Sequence, residues 1–318
     1  MQLYEQLKLH FTIPDAYTSW KDYRNLLTDR LIRMADEEEL TIDRLKKKMT
    51  VCVSHKPTLA ILGAGRMDDL DLAAIRPYFS KITMVDQDRN AMEEALDRYG
   101  MTKDPDIVLE KASFTGIGEP EYAAFCQSLE TYISETDHMI SVPELDMHCI
   151  ALMQEILQDT MTAAWNRKTY DYIWCVGVHS QLYAMPAYIY RYMWKQLEQD
   201  NRLEPVWQHM QPEESAFMEY LREQNAGRIH VLHDEILCAA KHAVVIGCEV
   251  GRCEHPYAGV IENPELPATD EQTIEGSRQC MADIDSRRLD VHNAMLCWPF
   301  YRVGNVYYDM LLREIFPG

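Results

Sequence analysis

Two glycines and a later aspartate form the pattern with the clearest chemical content in this chain. Gly63 and Gly65 follow the apolar run TLAIL at 58–62, where a strand is expected to turn tightly into a helix. Asp86 lies 21 positions after Gly65, at the end of a second apolar run, KITMV. A carboxylate there can accept hydrogen bonds from both hydroxyls of a ribose. The spacing predicts a nucleoside site, the alternative being an ordinary tight turn with a solvent-facing aspartate.

The residues after the glycines discriminate between nucleoside ligands. A dinucleotide fingerprint has a third glycine at position 68, with the pyrophosphate at the start of the next helix. Here Asp68 and Asp69 stand at the expected start of a helix over 68–79, where they would repel a pyrophosphate. S-adenosylmethionine has ribose hydroxyls, two cationic centres and no phosphate. The acidic loop therefore favours S-adenosylmethionine over NAD or FAD, and an NAD-linked oxidoreductase is the least favoured enzyme.

Strands and helices are expected to alternate along most of the chain. Strands are predicted at 58–62, 81–85, 106–110, 170–178, 242–247, 291–301 and 306–316, helical segments at 1–55, 90–99, 120–167, 184–241 and 270–287, and a loop at 249–269. This alternation predicts an α/β fold with a parallel, doubly wound sheet and a closing hairpin. Pro299 cannot donate a ladder hydrogen bond, so its strand should be an edge strand or carry a bulge.

The segments LGAGRMDDLDL, MVDQD and DYIWCVGVHSQL, with the closing hairpin, resemble the class I S-adenosylmethionine-dependent methyltransferases over approximately residues 55–316. The resemblance implies a Rossmann-like seven-stranded sheet in the order 3-2-1-4-5-7-6, with strand 7 antiparallel and strand 6 at the outer edge. It also implies cofactor contacts from Gly63, Gly65 and Asp86, with Gln87 near the adenine.

Two departures from that family concern the adenine and the acceptor. Many members carry an acid after strand 3 that holds the adenine amino group, whereas this chain has Ser113 and Phe114. We include both with Cys175, in the fourth strand, among the cofactor-binding candidates. Methyltransferases that act on planar amino groups carry Asn/Asp-Pro-Pro-aromatic after strand 4, and this chain has CVGV instead. The difference disfavours base methylation of nucleic acid.

The domain organisation follows from the lengths of the helical segments. We interpret 1–55 as an N-terminal helical segment and 56–318 as one methyltransferase-like α/β domain with insertions at about 120–167 and 184–235. These helices exceed what simple crossovers require. We expect them to form a cap over the carboxyl ends of the strands, where open α/β sheets bind ligands.

Methyl transfer requires alignment of the nucleophile and, in some cases, a proton acceptor. His179, after the fourth strand, and Glu254 and His255, after the fifth, are weak candidates for that acceptor, and no catalytic residue is assigned. Cys248, Cys253 and His255 have a looser spacing than structural zinc sites, and no second ligand pair is evident. We predict no metal site from the sequence.

Composition restricts the partners. The 318 residues include 31 basic and 51 acidic side chains, and the formal net charge of −20 disfavours a nucleic-acid substrate. The sequence has no secretion signal, no apolar run long enough for a membrane span and an odd number of cysteines, nine. We expect a cytoplasmic protein whose partner is a small molecule.

These observations lead to one functional hypothesis and two alternatives. The hypothesis is a methyltransferase that uses S-adenosylmethionine, releases S-adenosylhomocysteine and acts on a small-molecule acceptor. One alternative is an aminopropyl or aminocarboxypropyl transferase that uses the same cofactor. The other is a non-catalytic S-adenosylmethionine-binding sensor or interaction protein.

Overall fold

The computed structural model describes residues 3–9, 12–49, 56–160, 168–265, 274–301 and 304–317, with the side chains of 37–49 and 159–160 left out. Its strands form one sheet in the order β3-β2-β1-β4-β5-β8-β7-β6. They are β1 (Thr58–Leu62), β2 (Lys81–Asp86), β3 (Ile107–Lys111), β4 (Tyr170–Val176), β5 (Ala240–Arg252), β6 (Val260–Glu262), β7 (Val291–Tyr301) and β8 (Val306–Ile315). Strands β1 to β5 are parallel, β8 is antiparallel to β5 and β7, and β6 is antiparallel to β7.

Helices cover both faces of this sheet. They are α1 (Leu3–Lys8), α2 (Ala16–Ser19), α3 (Lys21–Met49), α4 (Leu72–Ile75), α5 (Arg89–Arg98), α6 (Glu119–Glu135), α7 (Val142–Thr160), α8 (Ala184–Gln199), α9 (Ala216–Ala239) and α10 (Glu275–Ser286). Without β6, the strand order is the 3-2-1-4-5-7-6 order expected from the sequence, with the antiparallel strand in the expected place. The predicted Rossmann-like, doubly wound fold is confirmed.

The sheet has eight strands in place of the predicted seven. The additional strand β6 lies within 249–269, which we expected to be a loop. A three-residue strand is too short to show periodicity, and its pairing with Ala294–Leu296 of β7 defines it. The strand that contains Pro299 is therefore not outermost. Pro299 lies beyond the residues that pair with β6, and the β7–β8 register shifts between Trp298 and Tyr301, as the bulge alternative predicted.

The helix after the glycine loop is shorter than predicted. A helix over 68–79 was expected, but α4 begins at Leu72 and a 3₁₀ turn over Arg76–Tyr78 follows it. Asp71 is its N-cap, and its carboxylate accepts the N–H of Ala74 at 3.0 Å. Residues 65–71 remain in the loop, because Asp71 is the side chain that caps the helix.

Alternation along the strands supplies two cores, one on each face. On one face the strands pack against α6, α7, α8, α9 and α10, with Leu62, Ile173 and Ile246 pointing inward. On the other face Ile61, Trp174 and Val245 pack with α3, α4 and α5. Parallel strands buried on both faces explain why β1 and β4 appear as continuous apolar runs in the sequence.

The long helix α3 is attached to the sheet by a buried ion pair. The Arg30 guanidinium donates from Nε to Glu314 of β8 at 2.5 Å and from NH1 to Glu262 of β6 at 2.9 Å. The side chains of Arg30 and Glu314 are 6% and 7% exposed. Since a buried charge is costly without a partner, this contact holds α3 against the far end of the sheet.

None of the helices in the described ranges combines the length and the apolar character that crossing a membrane requires.

Candidate functional site

The glycine loop leads from β1 to α4 and is hydrogen-bonded to the end of the neighbouring strand β2. The Gly63 N–H donates to the carbonyl of Val85 at 2.9 Å, which closes the turn onto the end of β2. Gly63 has φ +71°, and a Cβ there would lie 2.5 Å from Cγ2 of Val178. Only glycine fits this combination of left-handed backbone and close approach.

Asp86 ends β2 directly beside this loop. Its Oδ2 accepts the N–H of Gly65 at 2.9 Å, and its Oδ1 accepts the N–H of Asp88 at 2.8 Å. Burial raises the pKa of the Asp86 carboxyl, and these backbone hydrogen bonds oppose that effect. The carboxylate is therefore fixed in orientation at the carboxyl edge of the sheet, with lone pairs left for a ligand.

A cavity of about 350 Å³, the Asp86 cavity, opens at the carboxyl ends of the strands. Its lining includes all but two of the predicted cofactor residues. The predicted residues on its wall are Gly63, Asp86, Gln87, Ser113 and Phe114, and α1 and α6 add Tyr4, Lys8, Glu119 and Tyr122. Lys8 is ion-paired with Glu119. The N-terminal helix thus covers the strand ends at this point, as expected of a cap.

Ser113 and Phe114 form the wall that follows β3. The Ser113 hydroxyl donates to the carbonyl of Ile117 at 2.7 Å, so its oxygen keeps acceptor capacity for a ligand. The carbonyl of Phe114 accepts from Arg228, which ties this loop to α9. A partly buried phenyl ring and a hydroxyl acceptor are suited to a flat heteroaromatic ring with an amino group.

A second cavity, the aromatic cavity, lies on the other side of the glycine loop and has a volume of about 620 Å³. It shares Gly63, Gly177 and Gln181 with the Asp86 cavity. Gly65, the remaining predicted glycine, lies on its wall. Rings from α2–α3, α8 and β7 line it: Trp20, Tyr23, Tyr188, Trp298 and Phe300.

Trp298 is the centre of this aromatic wall. Its ring centroid is 5.0 Å from that of Trp20 and 4.9 Å from that of Phe300, both edge to face, and 6.0 Å from Tyr23 in a stacked arrangement. Such geometry rigidifies the wall and leaves ring faces and edges that can contact an apolar or cationic ligand.

The acids of the glycine loop differ in their state of charge. Asp68 is ion-paired with Arg66 at 2.8 Å and with Arg98 at 2.6 Å. Burial raises the pKa of the neighbouring Asp69 to about 6, and the negative charge of Asp68 adds to the shift. Both residues line the aromatic cavity. Asp69 is therefore a carboxyl group that changes protonation just below neutral pH.

The repulsion of a pyrophosphate that the sequence predicted at Asp68 is not found in the structure. Asp68 neither starts a helix nor carries an unpaired charge, so it would not repel a pyrophosphate as expected. The helix that follows is only four residues long, and the carboxylate of Asp71 already occupies the N–H of Ala74 in its first turn. A pyrophosphate would compete with this cap for the donors at the helix start.

The structure places Cys175 apart from both cavities. The residue is fully buried within β4, opposite Leu62 of β1, and burial raises the pKa of its thiol to about 12. Gly177, two residues further on, reaches both cavity walls. The cofactor role predicted for Cys175 has no contact in the described structure to support it.

The three weak catalytic candidates are not brought to the glycine loop. Glu254 and His255 are exposed after β5, and Glu254 borders a separate cavity with Arg252 and Tyr307. His179 is 1% exposed in the turn after β4, and its Nε2 lies 3.0 Å from Nε2 of His233 on α9. Burial lowers the pKa of His179 well below its usual range.

Sequence reasoning missed several residues of the two cavities. Gly177 carried a usable signal, a glycine directly after a buried strand, and its φ is +71°. Gln181, Tyr4 and Lys8 carried none, because their place at the site depends on how α1 and the β4–α8 turn pack. The aromatic cavity itself combines residues from both ends of the chain.

Comparisons with known proteins give weak likenesses in structure and none in sequence. No protein-family model matches the chain, and no curated protein sequence matches it either. Magnesium protoporphyrin IX methyltransferase from Synechocystis, solved with S-adenosylmethionine, is 8% identical, with 96% of this chain and 85% of that chain covered and a TM-score of 0.38. The N-methyltransferase NodS from Bradyrhizobium japonicum, in complex with S-adenosylhomocysteine, is 12% identical over 99% and 98% of the two chains, with a TM-score of 0.38.

A third solved structure, a candidate RNA methyltransferase from Pyrococcus horikoshii, is 7% identical over 82% of this chain and 75% of that chain, with a TM-score of 0.34. With likenesses this weak, the fold class rests on the observed strand order. That order, with an antiparallel strand inserted beside β5, defines the class I methyltransferase type of Rossmann-like fold.

Proposed function

We propose that this chain is an S-adenosylmethionine-dependent methyltransferase. The observation that carries the proposal is the carboxylate of Asp86, which two backbone amides hold at the end of β2 in a cavity that shares Gly63 and Gly177 with the neighbouring aromatic cavity. A ribose there would receive acceptors for both hydroxyls, and the glycine would allow close passage towards the aromatic cavity.

The residues present fit this cofactor, part by part. Asp86 would hold the ribose, and Gln87, Ser113 and Phe114 would surround the adenine. The methionine part would extend along Gly63 and Gly177, which line both cavities. When bound, S-adenosylmethionine supplies an electrophilic methyl group on a sulfonium, and the displaced product is S-adenosylhomocysteine.

The aromatic cavity is the proposed acceptor site, and its chemistry favours a small basic molecule. Ring faces attract cations, and the carboxylate of Asp69 is ionised above about pH 6. An amine acceptor loses one proton when its nitrogen gains the methyl group. A carboxylate with a pKa close to neutral is suited to receive that proton. The chain's own contribution is to orient the acceptor, exclude water through the aromatic wall and accept the proton on Asp69.

Thermal-shift titrations with S-adenosylmethionine, S-adenosylhomocysteine and NAD in parallel test the cofactor. Binding at about 100 times the dissociation constant adds ~2.7 kcal/mol to stability, which corresponds to a rise in melting temperature of roughly 5–10 °C. We expect a shift with the two adenosyl ligands and none with NAD. A shift with NAD alone, or none at all, would contradict the proposal.

Product analysis then tests the reaction. Incubation with methyl-labelled S-adenosylmethionine and panels of amines, alcohols and thiols should transfer label to amines and release S-adenosylhomocysteine. Release of 5′-methylthioadenosine would instead identify aminocarboxypropyl transfer, and the same release from decarboxylated S-adenosylmethionine would identify aminopropyl transfer. Tight binding with no product from any panel would favour a non-catalytic sensor.

A further inference from the structure

Three buried side chains with metal-binding atoms converge on one point between the sheet and helices α9 and α10. They are His179 from the turn after β4, His233 from α9 and Cys280 from α10, with exposures of 1%, 0% and 0%. Nε2 of His179 lies 3.0 Å from Nε2 of His233, which is 3.8 Å from Sγ of Cys280. The three donor atoms all lie within 4.8 Å of one another.

Packing of α10 against the β4 turn creates this convergence. His179 and His233 are 54 residues apart and His233 and Cys280 are 47 apart, so no local motif announces them. At the start of α10, a Cβ on Gly276 would lie 2.5 Å from the carbonyl oxygen of His179. The glycine lets the helix approach closely, and Cys280 lies one turn further along it.

The distances match those of a tetrahedral zinc site. Zinc bonds of ~2.0 Å to imidazole and ~2.3 Å to thiolate place two nitrogens ~3.3 Å apart and a nitrogen and a sulfur ~3.5 Å apart. The observed values of 3.0 and 3.8 Å differ from these by a few tenths of an ångström. Without an ion, Nε2 of His233 would accept hydrogen bonds from both the His179 ring and the Cys280 thiol, and metal content distinguishes these two arrangements.

The surroundings of His233 are those of a metal-ligating histidine. Its Nδ1 lies 2.6 Å from Oδ2 of Asp283, so the ring is held with Nε2 turned towards the other two donors. Asp283 is itself fixed by Arg287 at 2.6 Å and by His230 at 2.6 Å. Carboxylate–histidine pairs of this kind orient metal ligands and set their tautomer.

A fourth donor would have to move towards the three that converge. The thiol of Cys248 on β5 is fully buried beside Cys280, but its Sγ lies more than 4.8 Å from at least one of the other three donor atoms. It would complete a Cys₂His₂ set, and loss of both thiol protons to solvent would balance the charge of a divalent ion. Closed sites with this donor set hold structural zinc, whereas catalytic sites keep an open position.

We propose that His179, His233 and Cys280 bind a structural Zn²⁺ ion, with Cys248 as the fourth ligand once its side chain turns towards them. The ion would join the turn after β4 to α9 and α10. Gly177 and Val178, which line the Asp86 cavity, directly precede His179. The ion would therefore hold one wall of that cavity in place, without touching a ligand bound there. This site does not depend on the methyltransferase assignment.

Metal content tests the proposal without any activity assay. The full chain, produced with Zn²⁺ in the medium and purified without chelator, should carry about one zinc per chain by mass spectrometry. His179→Gln and Cys280→Ala should each lose most of it. Cys149→Ala, at an equally buried cysteine in α7, is the matched control and should retain it.

A second measurement keeps the test decisive if those variants fold poorly. The parent protein is stripped with a chelator, checked for folded circular dichroism and titrated with Co²⁺ alone. We expect a near-ultraviolet thiolate-to-cobalt absorption band, displaced by Zn²⁺, and a higher melting temperature with metal. A folded parent that takes up neither ion, or zinc content equal in all variants, would overturn the proposal and leave a hydrogen-bonded histidine pair.

Discussion

The carboxylate of Asp86 accepts the backbone N–H of Gly65 at 2.9 Å, so the last residue of β2 holds the loop that follows β1. Leu62 of β1 pairs with Val85 of β2, and this parallel register brings Gly65 and Asp86, which follow them, side by side. The same side chain therefore shapes the glycine loop and faces the cavity next to it. A change at Asp86 therefore alters the wall of the Asp86 cavity and, through Gly65, the glycine loop.

Asp86→Asn should weaken S-adenosylhomocysteine binding at least about tenfold, because the amide removes the charge and one of two acceptor oxygens. Isothermal titration calorimetry measures the dissociation constant. Asp97→Asn, at an exposed position of α5, is the control and should bind like the parent. Equal affinity in Asp86→Asn and the parent would show that the ribose does not bind at this residue.

Gly63→Ala should destabilise the protein and abolish S-adenosylhomocysteine binding, because its Cβ would lie 2.5 Å from Val178 and its φ is +71°. Gly100→Ala is the matched control: φ there is +66°, and a Cβ would meet nothing within 4 Å. We expect Gly100→Ala to cost about 1 kcal/mol from backbone strain alone. Urea denaturation of both variants measures the difference.

Combining Gly63→Ala with Val178→Ala separates the two causes of the lost stability, which are the clash with Val178 and the strained backbone at position 63. The double variant should recover part of the free energy of unfolding, since the clash is relieved while the φ strain remains. If Gly63→Ala is no less stable than Gly100→Ala, the close approach to Val178 does not matter energetically.

Asp69→Asn should be more stable than the parent at pH 7.5, by about 1–3 kcal/mol, and nearly equal to it at pH 4. Burial raises the pKa of Asp69 from its ordinary 3.8 to about 6 in the folded protein. The contribution of Asp69 to the free energy of unfolding is therefore fully present below pH 3.8, and it is lost as the pH rises through 6. Urea denaturation at the two pH values measures the change.

Asp104, an aspartate whose pKa is lowered in the folded protein, is the control for the direction of this pH dependence. Hydrogen bonds from Arg76 lower the pKa of Asp104, so its contribution is present at neutral pH and lost in acid. Asp104→Asn should therefore be less stable than the parent at pH 7.5. A difference between Asp69→Asn and the parent that does not depend on pH would contradict the assigned titration.

Arg30→Met should destabilise the protein by about 3–5 kcal/mol, because it leaves the buried carboxylate of Glu314 without its guanidinium and with only His292 beside it. The double variant Arg30→Met/Glu314→Gln should lose less than the sum of the two single changes. Arg89→Met removes an exposed pair with Glu93 and should cost under about 1 kcal/mol. Additive losses in the double-mutant cycle would show that Arg30 and Glu314 do not act as a pair.

Most of the sheet could be predicted from the sequence, and the errors have local causes. Strands β1 to β4 lie within about one or two residues of the predicted runs, since continuous burial leaves a clear apolar signal. Strand β5 continues past the predicted end at Gly247, because that glycine serves close packing: a Cβ there would lie 2.7 Å from Val176. β6 was missed because it has only three residues, and the helix expected from residue 68 begins at Leu72 because Asp71 caps it.

The sequence by itself determined one part of the site, namely the glycine loop after β1 and the aspartate at the end of β2. Gly63, Gly65 and Asp86 lie close to consecutive strands, and parallel pairing of neighbours brings such residues together almost irrespective of the rest of the chain. Local periodicity and residue type suffice for that step.

Only the tertiary structure decided what lies around those residues. Trp20 meets Trp298 across 278 positions, and His179 meets His233 and Cys280, because helices dock on the sheet through side chains with no sequence signal for their partner. Tertiary packing also determines the charge of the glycine loop. Arg98 of α5 forms an ion pair with Asp68, and burial raises the pKa of Asp69 to about 6. Contacts between distant segments and the desolvation they impose depend on packing, which no single stretch of sequence encodes.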